Sequence, residues 1–156
     1  MKPMLPRDRS IAFPKRIGWL ILVLLVYFDA IFTVIIGKEG NPLWQIFTNR
    51  YGIWTDLIAP IPVLLALYVG ILLLTPIVRR FDRYPNSHEV ILTNLIIVYA
   101  IYDLYFILNF VGFPLAVDFF ASKIKLIIAL LVPGIIPYNI FLEYRLLKQK
   151  NSSNSL

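Results

Sequence analysis

The sequence predicts an all-α polytopic membrane protein, a four-transmembrane-helix bundle with both termini cytoplasmic. Three observations carry that prediction. Hydrophobic residues make up 59% of the 156-residue chain and charged residues only 15%, against about a quarter charged in soluble domains. Four apolar stretches, about residues 17–36, 56–78, 90–111 and 124–144, each supply the ~20 residues a helix needs to cross ~30 Å of hydrocarbon. The 15 basic residues are unevenly placed: eleven lie before the first stretch, between the second and third, or after the fourth, and only Lys38, Arg50, Lys123 and Lys125 lie in the other two connections. Such a bias marks the richer side as cytoplasmic.

Residues 1–16 contain Pro3, Pro6 and Pro14 and read as an irregular cytoplasmic lead. The first span (17–36) leaves through Gly37 into a polar turn with no small-residue cleavage site. Its apolar run is also longer than the roughly 7–15 residues of a signal-peptide core, so it is expected to be a retained anchor. The connection from Lys38 to Thr55 contains Trp44, Phe47, Tyr51 and Trp54. That density fits the aromatic belt at a membrane surface, and a short helix lying on the outer surface is expected over 42–51.

Span two (56–78) carries Pro60 and Pro62 near its outer end and Thr75–Pro76 near its inner end. Span four (124–144) carries Pro133 and Pro137. Proline removes a helix hydrogen bond and kinks the backbone, so spans two and four should bend; bent helices either open a cavity or are simply bent. In the inner loop Ser87 is the expected N-cap, with Glu89 favourable in the first turn. His88, the single histidine, is expected there without a metal or catalytic role. Residues 146–156 are expected to form a disordered cytoplasmic tail, polar and low in complexity over 151–156. A faint internal repeat relates Tyr27–Phe28–Asp29 to Ile101–Tyr102–Asp103, each followed by a glycine and then Pro-Leu; a parallel duplication and chance similarity both account for it.

The informative residues are polar ones inside the spans. An ionisable side chain at the centre of a span costs about 2.5–3.5 kcal/mol on insertion scales, so it must face the bundle and find partners. Asp29 and Asp103 are expected at similar depth in spans one and three, with Thr33 one turn above Asp29. Tyr99 and Phe106 share the face of Asp103, Asn109 lies nearer the surface, and Asp56 opens span two. Glu39 and Asn41 form a polar motif in the loop over span one. Asp29, Thr33, Asp56, Tyr99, Asp103 and Asn109 are thus the candidate ligand-binding residues. The acids lock helix packing, line an outward-facing cavity for an amine, a lipid or a hard cation, or relay protons or contact a partner subunit; the sequence leaves all three open.

Several functions are excluded or unsupported. Without cysteine there is no disulfide, thiolate metal site or cysteine nucleophile. No G-x-S-x-G, HExxH or phosphate-binding loop is present, so no catalytic residue is assigned. No ligand spacing supports a metal, and no cofactor is expected. The net charge of +6 is read as topology signals that also meet anionic headgroups, not as a nucleic-acid surface.

At Asp29–Ala30–Ile31–Phe32–Thr33, followed by Glu39–Gly40–Asn41–Pro42–Leu43, the chain resembles a family of small prokaryotic four-helix membrane proteins of unknown function. That resemblance implies a helical bundle, a plasma membrane and no reaction. Leu43–Trp44…Tyr51, Ile101–Tyr102–Asp103–Leu104–Tyr105–Phe106 and Val132–Pro133…Ile136–Pro137 resemble the EXPERA family of sterol isomerases and sigma-2-type receptors. This second resemblance implies that Asp29, Asp56 and Asp103 face a sterol- or amine-binding pocket, although the intramembrane histidine of many such proteins is missing here. Two functions follow as expectations. The first is a non-catalytic accessory or structural subunit of a larger membrane complex, with membrane lipids and other subunits or further copies as partners. The alternative is a binding protein, transporter or isomerase for a small lipophilic or amine ligand, held in an outer-half cavity lined by Asp29, Asp56 and Asp103.

Overall fold

A computed structural model describes residues 12–37, 42–81, 86–120 and 122–153. These residues are helical apart from short turns and connections, with no strand among them. In chain order the elements are α1 (Lys15–Ile36), α2 (Pro42–Tyr51), a 3-10 turn (Ile53–Leu57), α3 (Pro60–Phe81), α4 (Ser87–Phe110) and α5 (Pro114–Phe120). They are followed by α6 (Lys123–Leu130), a π turn (Leu131–Ile135) and α7 (Ile136–Ser153). Four helical segments are long and apolar enough to cross a membrane: Lys15–Ile36, Ile53–Phe81, Ser87–Phe110 and Ile124–Arg145. Each begins or ends within about three residues of its expected span. Glu39 and Asn41 lie outside the described residues.

Side-chain pairs give the relative direction of the spans. Gly18 meets Leu92 and Ile96, while Phe32 meets Phe106 and Phe110, so α1 and α4 run parallel. Asp29 and Thr33 late on α1 line one cavity with Pro60 and Val63 at the start of α3, while Leu22 clusters with Ile71 further along α3, so α3 is antiparallel to α1. Asn94 bonds Asn139 and Val90 clusters with Leu142, so the fourth span is antiparallel to α4. The end of the bundle where α1 begins is termed proximal and the end where α1 finishes distal.

Helix ends follow from local chemistry. Gly37 stops α1 in the left-handed conformation (φ 74°), its amide donating to the carbonyls of Thr33 and Val34. Gly112 (φ 75°) does the same beyond α4. There the amides of Gly112 and Phe113 donate to Asn109 and Leu108, at 3.0 and 2.9 Å, which is the Schellman pattern. At the other end of α4 the cap position belongs to Asn86, and Ser87 is the first helical residue, so the helix starts one place earlier than the capping pattern suggested. α7 continues to Ser153, and residues 154–156 of the tail lie outside the described residues.

The prolines act differently from expectation in span two. Pro60 is the first residue of α3, where no amide is needed and the fixed φ suits a helix start, so it begins the helix instead of kinking it. Pro76 is interior, and beside it the Thr75 hydroxyl donates to the Ile71 carbonyl at 2.6 Å. In span four Pro133 sits in the π turn, whose wider ring absorbs the missing amide. Gly134 of that turn lies against α4, where an added Cβ would come within 3.0 Å of Ile101.

The core lies in the proximal half: Leu22, Val26, Ile71, Leu92 and Ile96 are buried together, with Trp19, Leu67 and Leu95 packed around them. The chain before α1 closes this end. The Phe13 amide donates to Thr93 Oγ1 at 3.0 Å, and Ala12 rests on Val90 and Leu142.

Candidate functional site

The distal half of the bundle is hollow. A cavity of about 410 Å³ lies between α1, the 3-10 turn, the start of α3 and α4, with Phe120 of α5 and Leu130 of α6 completing its wall. On α1 the lining residues are Val26, Asp29, Ala30 and Thr33, spaced three, one and three apart, which is one face of a helix. On α4 they are Val98, Tyr99, Tyr102, Phe106 and Asn109, again one face. From Tyr99 to Asn109 this face runs ~15 Å along the axis at 1.5 Å per residue.

The 3-10 turn exists to bring Asp56 inward. Gly52 (φ 90°) ends α2, its amide bonding the Thr48 carbonyl at 2.8 Å. Thr55 Oγ1 then donates to the Gly52 carbonyl at 2.8 Å, tying the turn back on itself. Asp56 is left only 2% exposed. It therefore precedes the second long helix on a separate turn and does not open that helix, as the sequence suggested.

Five of the six residues singled out in the spans meet in this one cavity: Asp29, Thr33, Asp56, Tyr99 and Asn109. Asp103 is not part of the lining. It is 4% exposed, and neither carboxylate oxygen has a hydrogen-bond partner among the described residues. It lies within electrostatic reach of Asp29, and Tyr99 lies within reach of both. Burying a carboxyl group with no hydrogen bond carries a cost in stability. Such local conflicts tend to sit at functional or strained positions.

Among the described residues the lining contains two carboxylates and no lysine, arginine or histidine. Two basic residues at the distal end are engaged elsewhere. Lys125 Nζ pairs with Asp118 Oδ1 at 2.5 Å on the surface, and the Arg50 guanidinium sits 5.5 Å from the Tyr51 ring. Among the described residues no group of three or more His, Asp or Glu side chains converges as a metal would need.

The other wall is aromatic. Tyr102 stacks on Phe106 at 6.2 Å and 10°, and Phe120 leans on both at 5.8 and 6.1 Å. Phe32 braces Phe106 edge-on at 5.5 Å. Tyr102 and Phe120 were not singled out from the sequence. Tyr102 falls three residues after Tyr99, a spacing that signals the shared face; Phe120 sits on α5, a seven-residue helix in what read as an outer loop.

The chain matches no protein-family model, no curated protein and no solved structure. Its function is therefore argued from the cavity.

Proposed function

We propose that this is a non-catalytic integral membrane protein that binds a small, largely apolar molecule carrying a positive charge. The observation that carries the reading is the distal cavity of about 410 Å³, with Asp29 and Asp56 in its wall and no cation among its described lining residues. Small-molecule sites are concave, mostly apolar and fixed by a few polar groups, typically with volumes of ~300–1,000 Å³. A positive charge between two carboxylates offsets the cost of holding them away from water. The charge bias of the connections supports a distal end facing away from the cytoplasm, which would load the site from the outer side of a plasma membrane.

The accessory-subunit alternative has less behind it. Large apolar side chains are exposed on α1 (Leu20, Leu24), α3 (Leu65, Leu73), α6 (Ile124, Ile127) and α7 (Ile140, Leu147) alike. That distribution fits lipid on every side and singles out no face for a partner.

The test is thermal unfolding of the purified protein with 3-phenylpropylamine and with its neutral isostere 3-phenylpropanol. A ligand that binds only the folded state raises the melting temperature by mass action. The amine should stabilise and the alcohol should not, and the double variant Asp29→Asn/Asp56→Asn should lose the response while eluting as the folded particle. No response to amines, or the same response in the double variant, overturns the reading. Isolation from native membranes in fixed ratio with other subunits would favour the accessory role instead.

A further inference from the structure

We propose that the fourth span is hinged at its π turn, so that α5 and α6 move together as a flap that opens the distal cavity sideways into hydrocarbon while α7 stays docked on α4. This goes beyond the binding reading and stands on the fold alone, whatever the cavity takes.

The backbone is weakest where the two halves of the span join. Proline supplies no amide, so Pro133 and Pro137 leave out the bonds that a regular helix would make to the carbonyls of residues 129 and 133. The Leu131 amide is shared between the Ile127 and Ile128 carbonyls, and the Ile136 amide reaches back five residues to the Leu131 carbonyl. Helices bend sharply at prolines and π turns, and hinges are a few element-terminal residues that absorb the change in φ and ψ.

The two halves are also anchored differently. Below the turn, Asn139 Nδ2 donates to Asn94 Oδ1 and to the Ile135 carbonyl, and Leu142 is buried against Val90. Gly134 rests on Ile97 and Ile101 of α4, which gives the hinge a fixed pivot. Swinging α7 away would break the Asn94–Asn139 bond in hydrocarbon, where no water replaces it. Above the turn, Ile124, Ile127 and Ile128 of α6 are exposed, and Lys125 Nζ pairs with Asp118 Oδ1, so α6 and α5 travel as one piece. This piece supplies Phe120 and Leu130 to the cavity wall, the two described lining residues that follow α4 in the chain. Its ring contacts with α4 form the latch: Phe119 on Tyr105 at 5.3 Å, and Phe120 on Tyr102 and Phe106 at 5.8 and 6.1 Å. Lipid tails are as apolar as these side chains, so acyl chains replace the ring contacts when the latch parts.

The chain has no cysteine, so spin labels can be placed in pairs without a background thiol. Full-length protein in phosphatidylglycerol nanodiscs carries one pair across the flap, Ile61→Cys with Ile124→Cys, and a reference pair across the docked half, Leu73→Cys with Ile140→Cys; all four positions are exposed. Pulsed electron resonance should resolve a second, longer distance for the flap pair and a single narrow distance for the reference pair. Phe119→Ala, which removes one ring contact, should raise the population at the longer distance about two- to tenfold. Pro133→Ala, which restores an amide across the hinge, should lower it. The reference pair should stay narrow in both variants, which shows that they keep the fold. A single narrow flap distance in both the parent and Phe119→Ala overturns the proposal. So does a longer component that Pro133→Ala leaves unchanged, because the motion then lies elsewhere, and so does equal broadening of the reference pair, because the span then moves whole. The experiment contains no ligand, so its failure leaves the binding reading untouched, and a failure of amine binding leaves the hinge untouched.

Discussion

Replacing Gly18 by valine tests the packing on which the cavity depends. An added Cβ at this position would lie 2.6 Å from Leu92 Cδ2, 3.1 Å from Leu92 Cγ and 3.6 Å from Ile96 Cδ1. Carbon atoms normally rest about 3.5–4.0 Å apart, so Leu92 must retreat by roughly 1 Å. It has nowhere to go, because it is 0% exposed and clustered with Leu22, Val26, Ile71 and Ile96. Overpacking of a filled core costs about 1–3 kcal/mol, and the two further methyls of valine push towards the upper end. The better helix propensity of valine over glycine returns a few tenths of a kcal/mol. The net expectation is a loss of about 2–3 kcal/mol, equivalent to roughly 4–12 °C at the ~2–4 °C per kcal/mol of a chain this size. Thermal melts in mild detergent, backed by unfolding titrations into a denaturing detergent, measure it. Leu92→Ala alone should also destabilise, by about 2–5 kcal/mol. Combined with Gly18→Val it should cost less than the sum, with a coupling of about 0.5–3 kcal/mol. A Gly18→Val protein as stable as the parent, or strictly additive effects, would refute the close approach of α1 and α4.

Two further predictions concern polar contacts that fix the other elements. Asn139 Nδ2 donates to Asn94 Oδ1 at 3.2 Å and to the Ile135 carbonyl at 2.6 Å, joining the fourth span to α4. A double-mutant cycle with Asn94→Ala and Asn139→Ala should give a coupling near the ~0.6 kcal/mol typical of such membrane pairs; a coupling of zero would mean the pair does not hold the helices. Thr93→Val removes the acceptor of the Phe13 amide, a bond worth about 1 kcal/mol. Hydrogen exchange at that amide should accelerate about fivefold, and an unchanged rate would show that the chain before α1 is held by apolar contacts alone.

Much of the architecture was legible because hydrocarbon imposes a length rule that few sequences satisfy by accident. Pro42 and the Tyr51–Gly52 pair bounded the surface helix for a simpler reason: one starts helices and the other ends them. The azimuth of each span was far less legible. α4 is apolar on nearly every side, so no stripe reveals which of Tyr99, Tyr102, Asp103 and Phe106 faces the hollow. Packing against α1 decides it, leaving Asp103 buried beside the cavity and Tyr102 in its wall. The Tyr102–Phe106–Phe120 cluster was hidden for a related reason. Phe120 sits on a helix of seven residues, too short for a periodic pattern, and reaches the other rings only through the tertiary fold.

The parallel pair α1 and α4 explains why the bundle is solid at one end and hollow at the other. At the proximal end the pair meets at Gly18, whose missing side chain lets the backbones close on Leu92, as small residues do between membrane helices. Near the distal end the same two helices are spaced by rings, with Phe32 set edge-on against Phe106 and Phe110 at 5.5 and 5.6 Å. A small residue below and a large one above space the pair differently at its two ends, and Asp29 of α1 and the rings of α4 line the opening. Cohesion is thereby concentrated in the proximal half, where Leu22, Leu92 and Ile71 are sealed from lipid and water. The distal half is left free to hold buried carboxylates, whose cost the packed end can sustain and which a bound cation would offset.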